Sequence, residues 1–443
     1  MTSSERNQLL KQFFNALPDS AIGGVDVSTI YVARAEDNAH DPVAKLRQCI
    51  DWSDLPNDTY LFSGLRGAGK TTELNRLVNE LNSSGTTAAF YCDASRYLNL
   101  NEPQVALPEL LMTTLAGLGD AVRQKLGKDQ LKDSIWQRTR RLLTSEVELK
   151  PTVKLSGQGA ELEIEATLTE NPDFRKKLRN FANSSTVFFD EANAFAAETA
   201  RLIRQATGKQ KIVLVVDSLE RLSAPTGSEA QLFDTLKEIF FNNPAQLQLP
   251  EITVIYSAPP YLQAILPGVN GGFSETFTLP NFKVLQKPAA GESCAPEPNQ
   301  DGLDRMVQIV DRRFPRWKEV LAKEVVEFLA WNSGGNVRSF FKLLSTTIRQ
   351  TGLNELLLPL TQTDDTPVQQ ALSDASIPLQ WLTGPDRTWL RRFMQDGKNP
   401  AEHIQDLAVD LPSIIRLFDH SLVLNYQNGS VWYHVPPLVC DHV

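Results

Sequence analysis

Residues 64 to 71, Gly-Leu-Arg-Gly-Ala-Gly-Lys-Thr, fit the pattern G-x-x-x-x-G-K-[ST] without a mismatch. Chemistry that handles a phosphate chain needs this arrangement. Glycines let successive backbone N–H groups turn inward around an anion, and the helix that follows adds its positive end. Lys70 is then placed to reach the β- and γ-phosphate oxygens and the Thr71 hydroxyl to ligate Mg²⁺. Gly64, Leu65, Arg66, Gly67, Ala68, Gly69, Lys70, Thr71 and Thr72 are the expected site for Mg-ATP. A tight turn with a spare lysine would not explain the apolar run Tyr60-Leu61-Phe62 before the loop or the helical pattern after it.

A hydrolytic site also needs a carboxylate at the end of a buried strand. Asp217 closes the run Lys-Ile-Val-Leu-Val-Val-Asp (211–217), which places it at the carboxyl edge of a sheet, where it can hold the water shell of Mg²⁺. Glu220, three residues on, can orient or deprotonate the attacking water. Its competing reading is an exposed acid at a helix start, which the helix dipole favours. Ser257 ends the run Ile-Thr-Val-Ile-Tyr-Ser (252–257), either to sense the γ-phosphate or to open a turn before Pro259 and Pro260. Arg338, in Gly-Gly-Asn-Val-Arg (334–338), is a candidate lid arginine for the γ-phosphate, or a solvated helix arginine. For an arginine finger Arg221, Arg312, Arg313 and a residue of another subunit all remain open.

Five short apolar runs carry these residues: 59–63, 87–92, 211–217, 251–257 and 276–285. Near-continuous hydrophobicity over so few residues marks strands buried on both faces, so the spacing predicts a parallel α/β sheet. An N-terminal helical leader (1–58) feeds it, and the core spans 59–286. More than a hundred residues separate the second and third runs, too many for one crossover, so helices and a β-hairpin (147–168) are expected as an insertion at about 104–183. A Pro- and Gly-rich connection (287–302) precedes a helical lid (301–360) with helices at about 303–313 and 317–331. A last unit, 376–443, has helical segments near 386–396, 400–408 and 411–419. It closes with two β runs joined through Asn428-Gly429, the pattern of a winged helix.

The 443 residues carry 44 Lys and Arg against 53 Asp and Glu, a net charge of -9 that repels a polyanion unless cations cluster. No run approaches the ~18 apolar residues of a membrane span, and residues 1–17 lack a signal-peptide pattern, so a cytoplasmic protein away from membranes is expected. Cys49, Cys92, Cys294 and Cys440 have no metal-ligand spacing and suggest neither a zinc site nor a disulfide framework.

The phosphate loop, Val-Val-Asp-Ser-Leu-Glu-Arg-Leu (215–222), the late Gly-Gly-Asn-Val-Arg and the terminal winged helix together resemble the AAA+-like STAND and origin-initiator branches of P-loop ATPases. The resemblance covers most of the chain in motif order. It implies a five-stranded sheet with the Ser257 strand between the phosphate-loop strand and the Asp217 strand, then a lid, then the winged helix. It also implies a nucleotide-dependent homo-oligomer and a protein partner or effector. Ser218 stands where typical AAA+ motors have a second acid, which implies slow turnover. Bacterial ATPases of this branch occur in phage-defence loci, and that setting is implied in turn.

A winged helix suggests duplex DNA, but the charges of 376–443 oppose it. Arg387, Arg391, Arg392, Lys398 and Arg416 face Asp386, Asp396, Glu402, Asp406, Asp410, Asp419 and Asp441, and phosphate neutralisation supplies most non-specific affinity. Tyr426, Trp432 and Tyr433 fit packing better than base stacking. Three basic clusters remain, at 138–141, 175–179 and 311–318. Three functions follow: a switch ATPase that controls self-association and partner binding, a DNA-binding initiator or transposition-type ATPase, or a scaffold that keeps nucleotide for stability.

Overall fold

The computed structural model describes residues 2–17, 27–34, 39–127, 137–139, 172–225, 227–266, 272–288, 296–354, 356–428, 430–440 and 442–443. Contacts divide the chain into two units. One comprises residues 42–63 and 73–278, and the other comprises 1–41, 64–72 and 279–443.

The first unit holds the sheet. Its strands are β1 (Thr59–Gly64), β2 (Thr87–Asp93), β3 (Lys211–Asp217), β4 (Thr253–Ala258) and β5 (Glu275–Leu279), in the order β2-β3-β4-β1-β5. The β2–β3, β3–β4 and β4–β1 pairings are parallel. Every residue of β1 and β4 is buried, as the unbroken apolar runs require. The fifth run stops at Leu279 rather than 285, because Pro280 cannot continue a ladder. The expected order, with the Ser257 strand between the phosphate-loop and Asp217 strands, is the observed one.

Helices of this unit are α3 (Pro42–Trp52), α4 (Lys70–Ser83, which starts in the other unit), α5 (Leu107–Leu126), α6 (Pro172–Ser184), α7 (Val187–Thr207), α8 (Glu229–Lys237) and α9 (Pro260–Ile265). α5 is buried over most of its length, packed on β2 and against α6 and α7. It approaches β2 so closely that a Cβ at Gly117 would lie 2.0 Å from the Cys92 sulfur. Gly208 ends α7 in the left-handed conformation (φ 70°), as a glycine C-cap. The expected hairpin at 147–168 lies outside the described residues.

The second unit begins with α1 (Ser3–Asn15) and the short α2 (Val27–Ile30). α1 is opened by a capping box in which Thr2 and Glu5 satisfy each other's backbone. The lid helices are α10 (Gln300–Arg313), α11 (Lys323–Asn332) and α12 (Val337–Leu353), followed by α13 (Thr366–Ser376). α10 starts before 303 because the Asn299 side chain accepts the Gly302 N–H. The helix expected over 317–331 is instead a 3₁₀ turn (Pro315–Glu319) followed by α11, since Pro315 favours a fresh start.

The C-terminal region has α14 (Gly384–Asp396), α15 (Leu407–Asp419), the hairpin β6 (Leu424–Asn428) and β7 (Ser430–His434), and the short α16 (Pro437–Cys440). The segment 400–408 is not a helix. Pro400–Glu402 makes one 3₁₀ turn, and Asp406 caps α15 from Leu407 by accepting the Ala408 N–H. In the hairpin Tyr426 and Trp432 stack at 4.6 Å, and Tyr433 packs on Phe393 and Phe418, so these aromatics form core. No helix among the described residues is long and apolar enough to cross a membrane.

His434 is 1% exposed, its Nδ1 lies 2.8 Å from the Val435 carbonyl, and burial lowers its pKa. Folding therefore holds the imidazole neutral. The stability it contributes is present above the unfolded value of about 6.5 and is lost as pH falls below it. Thermal melts should show a lower midpoint at pH 5.5 than at pH 7.5, with a smaller fall for His434→Phe.

Candidate nucleotide site

The phosphate loop runs from the end of β1 into α4. Gly67 (φ 77°) and Gly69 (φ 96°) occupy backbone conformations that strain any other residue. Lys70 is 3% exposed, and its Nζ donates to the carbonyls of Gly64 (2.6 Å) and Leu65 (3.0 Å) within its own loop. The 14-residue α4 directs its positive end at the loop, so the site presents the backbone and charge that an anionic chain requires.

Within the second unit the loop's own carbonyls are tied to other elements. The Arg66 carbonyl accepts from Asn336 Nδ2 at 2.9 Å and from Ser421 Oγ at 3.1 Å. The Gly67 carbonyl accepts the Arg338 N–H at 3.2 Å, which satisfies one of the otherwise orphaned donors at the start of α12. Asn336 is 1% exposed, and its other amide atom caps α12 by accepting from the Ser339 N–H at 3.2 Å. The Arg66 guanidinium faces Asp419 at 3.5 Å. Arg34 donates to the carbonyls of Ala68 and Pro280 and lies 4.3 Å over the Phe282 ring.

The paired glycines before α12 allow a close approach. A Cβ on Gly335 would stand 2.0 Å from the Phe282 carbonyl oxygen, and the Gly334 carbonyl accepts the Tyr426 hydroxyl at 2.6 Å. Asn281 adds a buried bridge, bonded to both Asn336 (3.3 Å) and Asn425 (3.2 Å). Phosphate loop, lid entry and hairpin thus share one polar network. The Arg338 side chain, singled out from the sequence, lines a cleft of about 550 Å³ with Phe14, Lys342 and Arg349, while its backbone makes the loop contact.

The acidic edge lies in the first unit. Asp217 is fully buried at the end of β3, and its Oδ2 accepts the Tyr91 hydroxyl at 2.8 Å. Burial, then the charge of Asp217, push the Tyr91 phenol far above its ordinary value, so tyrosine is the donor. Ser218 follows in the left-handed region (φ 75°), uncommon for a residue with a side chain. It starts a single 3₁₀ turn, Leu219–Arg221, that carries Glu220 at 6% exposure. Glu220 is therefore not an exposed acid at a helix start. Ser257 Oγ accepts the Leu219 N–H at 2.9 Å, so this serine fastens the turn.

Register fixes the spacing. Phe62 pairs with Ser257, and Val216 pairs with Tyr256, one residue before Asp217 and Ser257. Asp217 lies two strand spacings, about 10 Å, from β1 at the level of Phe62. Among the described residues no group of three or more His, Cys, Asp and Glu side chains could hold a metal ion. Thr71 in one unit and Asp217 in the other each carry a hard oxygen donor of the kind Mg²⁺ takes.

Among the described residues, several arginines of the basic clusters are engaged internally. Arg138 pairs with Glu191 and Glu198, Arg175 with Glu102, and Arg179 with Glu109. Arg312 donates to the Tyr31 carbonyl, Arg313 lies over Phe341 at 4.5 Å, and Arg316 pairs with Glu319. Of the arginine-finger candidates, Arg312 and Arg313 are thus committed within the chain, and Arg221 is exposed.

No family model matches the chain, and neither does any curated protein sequence. Solved structures with a similar course include the Aeropyrum pernix ORC2 protein in ADPNP-ADP complexes (11% identity, 93% of this chain and 95% of that chain, TM-score 0.35). Cdc6p from Pyrobaculum aerophilum (13%, 94% and 96%, 0.35) and a single-residue variant of Thermotoga maritima RuvB (12%, 92% and 94%, 0.34) are alike to the same degree. Likeness at this level carries no argument about function, which rests on the site.

Sequence reasoning missed Arg34, Tyr91, Asn336 and Ser421. Only Asn336 had a signal, as an asparagine between a glycine pair and a helical run. If the loop contacts hold the lid entry, Gly67→Ala should disrupt them, since its Cβ would lie 2.5 Å from Arg338 Cβ and 2.6 Å from Asn336 Oδ1. Chemical denaturation should register a loss of about 1–3 kcal/mol, and Asn336→Ala a loss of about 1–2 kcal/mol.

Proposed function

We propose that the protein is a switch ATPase in which the phosphates of Mg-ATP lie against Gly64–Thr72 and the state of that loop is read by the lid and the winged helix. The Arg66 carbonyl carries this reading. It is a phosphate-loop atom, and it accepts hydrogen bonds from Asn336 at the lid entry and from Ser421 just after α15. A change in the loop's path alters both contacts directly.

In this account Lys70 exchanges its intraloop carbonyl partners for β- and γ-phosphate oxygens. Thr71 and Asp217 hold Mg²⁺, directly or through water, and Arg338 answers to the γ-phosphate from the lid. When bound, Mg²⁺ supplies neutralisation of charge across the β- and γ-phosphates. Glu220, buried on its turn, orients the attacking water and takes its proton, and Ser257 keeps that turn in place. Self-association and a protein partner complete the switch.

The alternative of an initiator- or transposition-type ATPase gripping DNA is disfavoured by where the cations go. In the winged-helix region Arg387 donates to the His442 carbonyl, Arg391 to that of Val443, Arg392 lies over Trp389, and Arg416 pairs with Asp386. Exposed hydrophobics lie on the same region, with Val409 near the start of α15 and Val431 on β7. Such a surface suits a protein better than a phosphate backbone. A role in phage defence has no structural support.

Mass and ATP turnover should be measured with ADP, ATP and a slowly hydrolysed analogue. The wild type should change mass between ADP and the analogue. Lys70→Ala should lose about 10- to 150-fold in nucleotide affinity, the worth of a charge-assisted hydrogen bond. Glu220→Gln should bind ATP but hydrolyse at least about 10²-fold more slowly. A wild type whose mass and turnover ignore nucleotide would defeat the switch and leave the scaffold reading.

A further inference from the structure

We infer that Tyr91 is a positioning residue for Asp217: its hydroxyl fixes one carboxylate oxygen and so sets how the carboxylate is presented to Mg²⁺ and its water. This inference rests on the ATPase reading and deepens it. Nothing in the motif pattern points to Tyr91, which belongs to β2 and is separated from Asp217 by 126 residues.

The geometry is direct. β2 and β3 pair in parallel register, with Tyr91 opposite Val215 and Asp93 opposite Asp217. The phenol therefore starts two residues short of the acid and reaches along the strand to Asp217 Oδ2 at 2.8 Å. Asp217 is fully buried, so a bond to one of its oxygens fixes the plane of a carboxylate that bulk water does not reorient.

The β2 side restrains the same acidic turn at a second point. The Ser223 N–H, just past Glu220, donates to the Leu100 carbonyl at 2.8 Å, in the segment that follows β2. Opposite, Ser257 of β4 takes the Leu219 N–H. Asp217 and the Glu220 turn are thus held from both neighbouring strands, and the bond from Tyr91 ends on the carboxylate itself.

The test uses the full chain with Tyr91→Phe, which keeps the ring and removes the hydroxyl. Two quantities separate positioning from packing: affinity for a fluorescent ATP analogue in EDTA, and the Mg²⁺ concentration giving half-maximal turnover. Metal-free nucleotide affinity should stay within about twofold of wild type. The half-saturating Mg²⁺ should rise about 10- to 100-fold, the range typical when a partner that orients a metal ligand is removed. In an Asp217→Asn background the same substitution should add little, because effects that pass through one carboxylate are not additive.

An unchanged Mg²⁺ dependence in Tyr91→Phe would overturn the assignment, as would full additivity with Asp217→Asn. Should Tyr91→Phe melt early, the cycle in the Asp217→Asn background is read by nucleotide and Mg²⁺ binding at a temperature where every variant is folded. If the wild type binds no ATP, the ATPase reading fails first and the assignment falls with it.

Discussion

A backbone carbonyl has two lone pairs, and at Arg66 both are used by side chains from distant parts of the sequence. Asn336 reaches it from the lid entry, 270 residues away, and Ser421 from the winged-helix region, 355 residues away. This one oxygen joins three segments of the unit that contains the loop. Asn336 can reach it because Gly334 and Gly335 bring the chain within van der Waals distance of Phe282, Leu424 and Tyr426, where any side chain would collide. Ser421 can reach it because the residue itself adopts a left-handed conformation (φ 55°) after α15. The Arg66–Asp419 pair then adds a modest, partly exposed electrostatic contact.

A parallel constraint shapes the other unit. A fully buried carboxylate at a strand end must be met by donors, since an ion left without them would neutralise or destabilise the fold. Tyr91 is one such donor to Asp217. The turn that follows is short, strained at Ser218 and fastened by Ser257, which leaves Glu220 little freedom to swing. In the proposed ATPase such a rigid acid suits the orienting of water.

Much of this fold was legible because its signals are local. Unbroken apolar runs identify β1 to β4 and their burial, and the phosphate loop declares itself through glycine spacing and Lys70. Asp217 is readable as the polar end of a buried run. Boundaries set by single side chains were harder. Asn299 moves the start of α10, Pro315 splits the next helix, and Asp406 shifts the last one. The partners of the site were largely illegible. Tyr91 looks like any strand aromatic until β2 and β3 pair, and Ser421 is one serine after a helix. Charge clusters were illegible in a different way, because the partners of Arg175 and Arg179, Glu102 and Glu109, lie about 70 residues away in sequence.

In the proposed switch the phosphate loop, the lid entry and the winged-helix region respond to nucleotide as one network. Hydrogen–deuterium exchange of the full chain, with and without Mg-ATP, measures this at the backbone. The account predicts that residues 64–72, 334–340 and 417–426 change protection together, and that Ser421→Ala weakens the response at 417–426 while leaving that at 64–72. Protection gained by 64–72 alone, with 334–340 and 417–426 unaltered, would contradict it.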